Sequence, residues 1–285
     1  MVKSRSVHNW LSLFAEGRIT RVELLGLLYN RLRNHPEDKV AVLATLHAHA
    51  HPDAQAVETD LMKWLRKQQQ TWVESAKPEW ILKAIRSTVS DRKLRLFAVS
   101  CCRRVLHQVG HEWHAAVEAA ESFAEGTVTR EQLARTRRRL AYNHRTIIES
   151  DNGEISAAKA AVLAALSRQP FQFALDAASL SALSMYRCTE EDADLAAEQQ
   201  WQADCLRELV CNPFLPVVLD PRWQTSAVVA LAQAIYDDQS FERLPVLADA
   251  LEESGCNNGE MLAHLRGRGP HVRGCWPVDR ILGKP

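Results

Sequence analysis

Three groups of histidine and cysteine hold residue types that bind metals. His107, His111 and His114 fall at helical spacing with Glu112 beside them, so a helix through all three would present imidazoles on one face. The zincin motif needs Glu directly after the first His and the second His four residues on, and His111-Glu-Trp-His114 is one residue short of that. Gly110 is placed to stop the helix between His107 and the other two, so a polar, helix-terminal role is the preferred reading. His47, His49 and His51 alternate as on a strand face, yet they precede Pro52 at the end of an expected helix, where imidazolium suits the negative end of the dipole. Further along, Cys256, His264, His271 and Cys275 supply the ligand types of tetrahedral zinc. Their spacings match no CxxC or HxxxH knuckle, and packing with turns at Gly267, Gly269, Pro270 and Gly274 is preferred.

A basic run is the strongest binding signal. Arg135, Arg138 and Arg139 share one side of a helix, with Arg137 in the same run, Arg130 before them and Arg145 continuing the patch, so the surface could grip phosphates. No interleaved aromatic platform accompanies it, and pairing of these cations with acidic residues elsewhere in the chain is the preferred alternative. Nucleophile motifs are poorer. Ser90-Asp-Arg-Lys93 and Ser156-Ala-Ala-Lys159 formally match SxxK but lack the SDN and KTG companions. No GxSxG, Walker A or strand-linked GxGxxG occurs. The carboxylate clusters Glu190-Glu-Asp192, Asp237-Asp238 and Glu252-Glu253 read as helix ends and solvated faces, and nominate no acid and base.

The elements that position these residues all read as helices. From Asp91, the residues Leu94, Phe97, Ala98, Cys101, Val105 and Val109 recur at three- and four-residue steps, and Val99, Cys102 and Leu106 form a second stripe beside them. Such a wide apolar face predicts a central helix packed on two sides, with Arg92, Arg95, Arg103 and Arg104 on its rim or facing partners. Helices are expected near 6–16, 21–34, 37–50, 53–73, 78–87, 91–109, 112–125, 130–150, 154–168, 171–186, 190–211, 225–238 and 241–254, with short pieces near 258–266 and 277–282. Thr20 with Glu23, and Thr129 with Gln132, fit the capping box, while Gly17, Gly126 and Gly255 sit where left-handed residues could end helices. The segments Phe14–Leu24 and Phe123–Leu133 share seven of eleven residues, which we read as one type of helix–helix corner used twice. No run of alternating β-branched residues is long enough for a strand. The expectation is an all-α fold, a multi-helix bundle or short irregular α-solenoid with a loop-rich tail. Its organisation is a four-helix module over 1–74, a main helical domain over 75–255, and a tail over 256–285 packed on the main domain.

Composition bounds the rest. The 285 residues are 46% hydrophobic and 25% charged with mean hydropathy −0.25, the balance of a globular chain with a sizeable core, which excludes disordered and disulfide-scaffold classes. No apolar run is long enough to span a bilayer. Seven cysteines, two of them adjacent at Cys101 and Cys102, argue against a disulfide framework and for reduced thiols in the cytoplasm. The formal charge of zero is polarised: residues 1–145 hold 24 Lys+Arg against 15 Asp+Glu, and residues 146–285 hold 11 against 20.

The stretches Ser90-Asp-Arg-Lys-Leu-Arg-Leu-Phe-Ala-Val-Ser-Cys-Cys-Arg-Arg104, Asn212-Pro-Phe-Leu-Pro216, Tyr236 with Arg243-Leu-Pro-Val-Leu-Ala-Asp-Ala-Leu251, and Gly269-Pro-His-Val-Arg-Gly-Cys-Trp276 are similar in order and wording to an uncharacterised family of bacterial, planctomycete-type helical proteins. The resemblance covers about residues 79–285 and implies no activity or catalytic residue. Residues 1–78 resemble the family's usual short beginning less, as an added or divergent module would.

The sequence reading is thus a cytoplasmic helical module for protein interaction or regulation, without catalytic activity of its own. It would bind a protein partner or its own copies, with no cofactor and no membrane. The first alternative is nucleic-acid binding through Arg130, Arg135, Arg138, Arg139 and Arg145. The second is a metal-dependent enzyme using His107, His111 and His114, or a zinc-stapled tail.

Overall fold

Every regular element among the described residues of the computed structural model, 2–35, 38–49, 51–145, 153–214 and 217–285, is helical. The chain divides into two compact units. The first comprises Met1–Ser75, Lys83–Thr88 and Asn212–Pro216, and the second Ala76–Leu82, Val89–Cys211 and Val217–Pro285.

The first unit contains α1 (Val2–Ala15), α2 (Arg21–Asn34), α3 (Lys39–His47) and α4 (Ala54–Glu74). Each buries a stripe at four-residue spacing: Val7 and Leu11 on α1, Leu24, Leu28 and Leu32 on α2, Val42 and Leu46 on α3, and Val57, Leu61 and Leu65 on α4. The stripes close one apolar core because α1 and α2 pack together and each leans on α3 or α4. The turn from α1 to α2 is the expected corner. Gly17 takes φ +69°, Arg18 N–H donates back to the Leu13 carbonyl at 2.8 Å, and Thr20 and Glu23 complete the capping box. The same device recurs in the second unit, where Gly126 takes φ +78°, Thr127 N–H donates to Ser122 O at 2.9 Å, and Thr129 and Gln132 exchange both capping bonds.

Helix α5 (Pro78–Ile85) is followed by α6 (Asp91–Val105), the centre of the second unit. Ser90 caps α6, its hydroxyl accepting from Lys93 N–H. Around α6 pack α7 (His111–Ala124), α9 (Gly153–Ala165), α10 (Pro170–Thr189) and α11 (Asp192–Leu209), while α8 (Arg130–Arg145) lies against α7 and α9. Neighbours on so many sides leave every residue from Lys93 to Cys102 buried. The expectation that Arg95 sits on the rim is therefore corrected: it is buried, and Lys93 with it. Burial of those cations is compensated. Arg92 and Lys93 both pair with the buried carboxylate of Asp279, Arg92 also reaches Glu125 at 3.0 Å and the Tyr236 hydroxyl at 2.7 Å, and Lys93 Nζ donates to Gly274 O at 2.6 Å.

The chain closes with α12 (Ser226–Asp238), α13 (Leu244–Glu253), α14 (Gly259–Arg266) and α15 (Trp276–Ile281). These bury a second apolar cluster from Val217 to Ile281 that includes Trp223, Tyr236, Cys256, Met261, Cys275 and Trp276. The segment read as loop-rich carries the two short helices expected near 258–266 and 277–282, and they share a core with α12 and α13. All seven cysteines are free thiols. No helix among the described residues is long and apolar enough to cross a membrane.

Candidate functional site

The second unit holds a cavity of about 600 Å³ between α6, α7, α8 and the link from α9 to α10. Seven arginines line it: Arg92, Arg95, Arg130, Arg135, Arg137, Arg138 and Arg168. Only two carboxylates, Asp91 and Glu131, accompany them. Helical phase puts Arg135 and Arg138 on one side of α8, and the corner at Gly126 turns that side toward α6.

The floor is set by Arg95. Its guanidinium donates to the carbonyls of Ala165 and Ser167, which lack partners because α9 ends there, and it lies 4.8 Å from the ring of Phe123 and 4.3 Å from that of Phe173. Burial pulls this guanidinium down to about 10, and it remains a cation at neutral pH. Arg92 differs, because Asp279 and Glu125 already neutralise it. Burial works against its charge, and the Asp279 carboxylate more than offsets this, so its pKa is raised.

The remaining lining arginines are exposed and outnumber their acidic neighbours, of which Glu131 lies beside Arg130 and Arg135. Arg130, Arg135, Arg137, Arg138 and Arg168 form no salt bridge with any described residue, so the expected pairing of this run with the acidic part of the chain is not seen among them; the side chains of Glu149, Asp151 and Glu154 lie outside the described residues. Among the described residues, the cations of the first half that meet acids of the second are Arg92 and Lys93 on Asp279 and Arg104 on Glu198. Of the sequence-derived set, Arg130, Arg135 and Arg138 line the cavity and Arg139 does not, all four being exposed. The Arg145 side chain lies outside the described residues. Sequence reasoning missed Arg168, an isolated cation just past a helix end, and did not join Arg92 and Arg95 to the α8 run.

The second constellation is a buried cluster on α11, α14 and the loop into α15. His264, His271 and Cys275 come together as their types suggested, but Cys256 is not with them: it is buried in the apolar cluster of α12–α15, and Glu208 of α11 takes the fourth place. One ligand-capable atom from each of Glu208, His264, His271 and Cys275 lies within 4.8 Å of the others. Glu208 Oε2 is 2.8 Å from His264 Nε2 and 3.0 Å from His271 Nδ1. His271 Nε2 is 3.0 Å from Gly267 O, and the Trp276 indole N–H donates to His264 Nδ1 at 3.1 Å. The Cys275 Sγ lies 3.6 Å from His264 Nε2.

Burial alone would raise the Glu208 carboxyl, but the two imidazoles beside it override this and hold it down to about 2. Burial also opposes charge on His271, and the Glu208 hydrogen bond outweighs it, raising that ring. The Cys275 thiol is pushed up by burial first and by the Glu208 charge second. Gly274 brings Cys275 into place: it has φ +95°, and a Cβ there would lie 2.7 Å from Leu96 and 2.9 Å from Leu209. Glu208 did leave a trace in the sequence, since it is a carboxylate at three-residue spacing from Cys205 on one face of α11.

The other groups are dispersed. Helix α6 ends at Val105, a 3-10 turn spans Leu106–Gln108, and Gly110 precedes α7, so His107 is separated from His111 and His114. His114 Nε2 lies 3.0 Å from Leu106 O, and the His111 and His114 rings stack at 6.2 Å. His47 ends α3 and sits 3.5 Å from Glu58, while His51 lies against Phe14. Neither group forms a metal-type cluster among the described residues. Of the SxxK pairs, Lys93 is committed to Asp279 and Gly274, and Ser156 has its side chain outside the described residues. Comparison of the chain with family models, with curated proteins and with solved structures gives no match.

Proposed function

We propose that this protein binds phosphate-bearing ligands of the nucleotide class, free or within a single strand of nucleic acid, in the arginine-lined cavity. The observation that carries the reading is the set of five lining arginines, without a salt bridge to any described residue, around one cavity. Guanidiniums so placed repel one another, and an anion with several oxygens relieves that repulsion while matching their planar donor forks. A volume of about 600 Å³ suits a ligand the size of a nucleotide. Binding rather than turnover is the role this lining supports, because guanidiniums stay protonated and neither give nor take a proton at neutral pH. The reading departs from the protein-interaction module that composition suggests, and the excess of arginines over carboxylates at the cavity is the reason.

The test is fluorescence anisotropy of short labelled DNA and RNA strands, with competition by nucleoside triphosphate and by inorganic phosphate. Binding should weaken at least about 10-fold in Arg135→Ala/Arg138→Ala, and Arg139→Ala should bind almost as the parent does. Competition by the triphosphate alone identifies a free nucleotide as the ligand, whereas strands binding more tightly than the triphosphate identify nucleic acid. No binding of either, or binding that the double substitution leaves intact, overturns the proposal.

A further inference from the structure

We propose that Glu208, His271 and Cys275 form a binding site for a divalent metal of the zinc class, with His264 holding the Glu208 carboxylate in position. Three independent features of the cluster point to a cation. The first is the donor set. A carboxylate oxygen, an imidazole nitrogen and a sulfur converge from α11, the loop before α15 and the N-cap of α15, within 4.8 Å of one another, and this mixture selects Zn(II) or Co(II) over the oxygen-seeking Mg(II) and Ca(II). The second is an unsatisfied atom. Glu208 Oε2 is shared by the two imidazoles, but Glu208 Oε1 is buried with no hydrogen-bond partner. A buried carboxylate oxygen without a donor is costly, and a metal ion beside it would supply the missing partner.

The third feature is the placement of ring protons. His271 Nε2 faces the Gly267 carbonyl and must carry a hydrogen to bond it. Without metal Nδ1–H donates to Glu208 Oε2, and release of that proton on binding leaves Nδ1 as the nitrogen whose lone pair can reach the ion, while Nε2–H stays on Gly267 as the outer-shell bond that fixes the ring. His264 is preset in the opposite way. Its Nδ1 accepts the Trp276 indole N–H, so the ring proton resides on Nε2 and points at Glu208 Oε2. His264 is therefore a positioning residue, and the ligands supplied by the protein number three. The site joins α11 to the loop and helix that follow α14, so an ion held there staples the last elements of the second unit to its central layer.

The full-length protein, purified without chelator, would be assayed for zinc by elemental analysis, then stripped and titrated with Co(II) alone. One equivalent of metal is expected, with a thiolate-to-cobalt charge-transfer band and a higher thermal midpoint than the stripped protein. Cys275→Ser abolishes the band and His271→Ala weakens binding more than about 100-fold, while His264→Gln weakens it about 10- to 100-fold and keeps the band. Cys256→Ser is the internal control: it removes the cysteine that sequence alone nominates and leaves the band intact. Circular dichroism separates lost metal binding from failure to fold in each variant. Absence of stoichiometric metal and of the cobalt band in the parent protein overturns the proposal, and so does a band that survives Cys275→Ser or vanishes in Cys256→Ser. None of these readouts depends on the arginine cavity, so this site and the phosphate-binding role stand or fall separately.

Discussion

Asp279 shows how one side chain can hold two buried cations, receiving Arg92 and Lys93 together on α15. Asp279→Asn keeps the volume and removes the charge, leaving both cations in a site from which water is excluded. The expected cost is about 3–5 kcal/mol, read as a lower urea midpoint at unchanged slope. Adding Lys93→Met to that variant should recover part of the loss, because one orphaned charge is then gone. An unchanged midpoint in Asp279→Asn would mean that the pair contributes nothing to stability. Glu208 follows the opposite logic, with both neighbours titratable imidazoles and one oxygen still without a partner.

At the level of the element, helix ends were legible wherever a side chain closes the end by itself. The boxes at Thr20–Glu23 and Thr129–Gln132 and the glycine stops at Gly17 and Gly126 are local, needing only a few residues in the right order. Other ends use a left-handed residue that is not glycine; of these the end of α12 was still legible at 238, whereas α10 runs past the expected 186. Helix α10 continues to Thr189 and ends on Glu190 at φ 57°, and α12 ends on Gln239 at φ 51°, neither of them a glycine. Because a left-handed conformation costs an L-residue about 1–2 kcal/mol, Gln239→Gly should raise stability by about 1 kcal/mol in denaturant unfolding. A loss instead would show that the glutamine side chain secures the turn.

Across the whole molecule the charges cancel, so attraction of polyanions at long range is weak and binding must come from the local arginine set. If about three arginines meet phosphates of a single strand, the logarithm of affinity should fall with the logarithm of salt at a slope of about −2. The slope should flatten to about −0.7 in Arg135→Ala/Arg138→Ala, and a slope that does not change would place the contacts elsewhere on the surface. The sequence by itself determined the all-helical class, the corners and the apolar stripes, because backbone hydrogen bonds and helical phase are set within a few residues. It also supplied the residue types of both sites. Only the tertiary structure decided which of them meet. Arg168 joins the α8 run at the cavity while Arg139 does not, and Glu208 displaces Cys256 from the cluster across more than fifty residues of chain. Such pairings depend on how helices are turned against one another around α6, and residue spacing along the chain carries no record of that rotation.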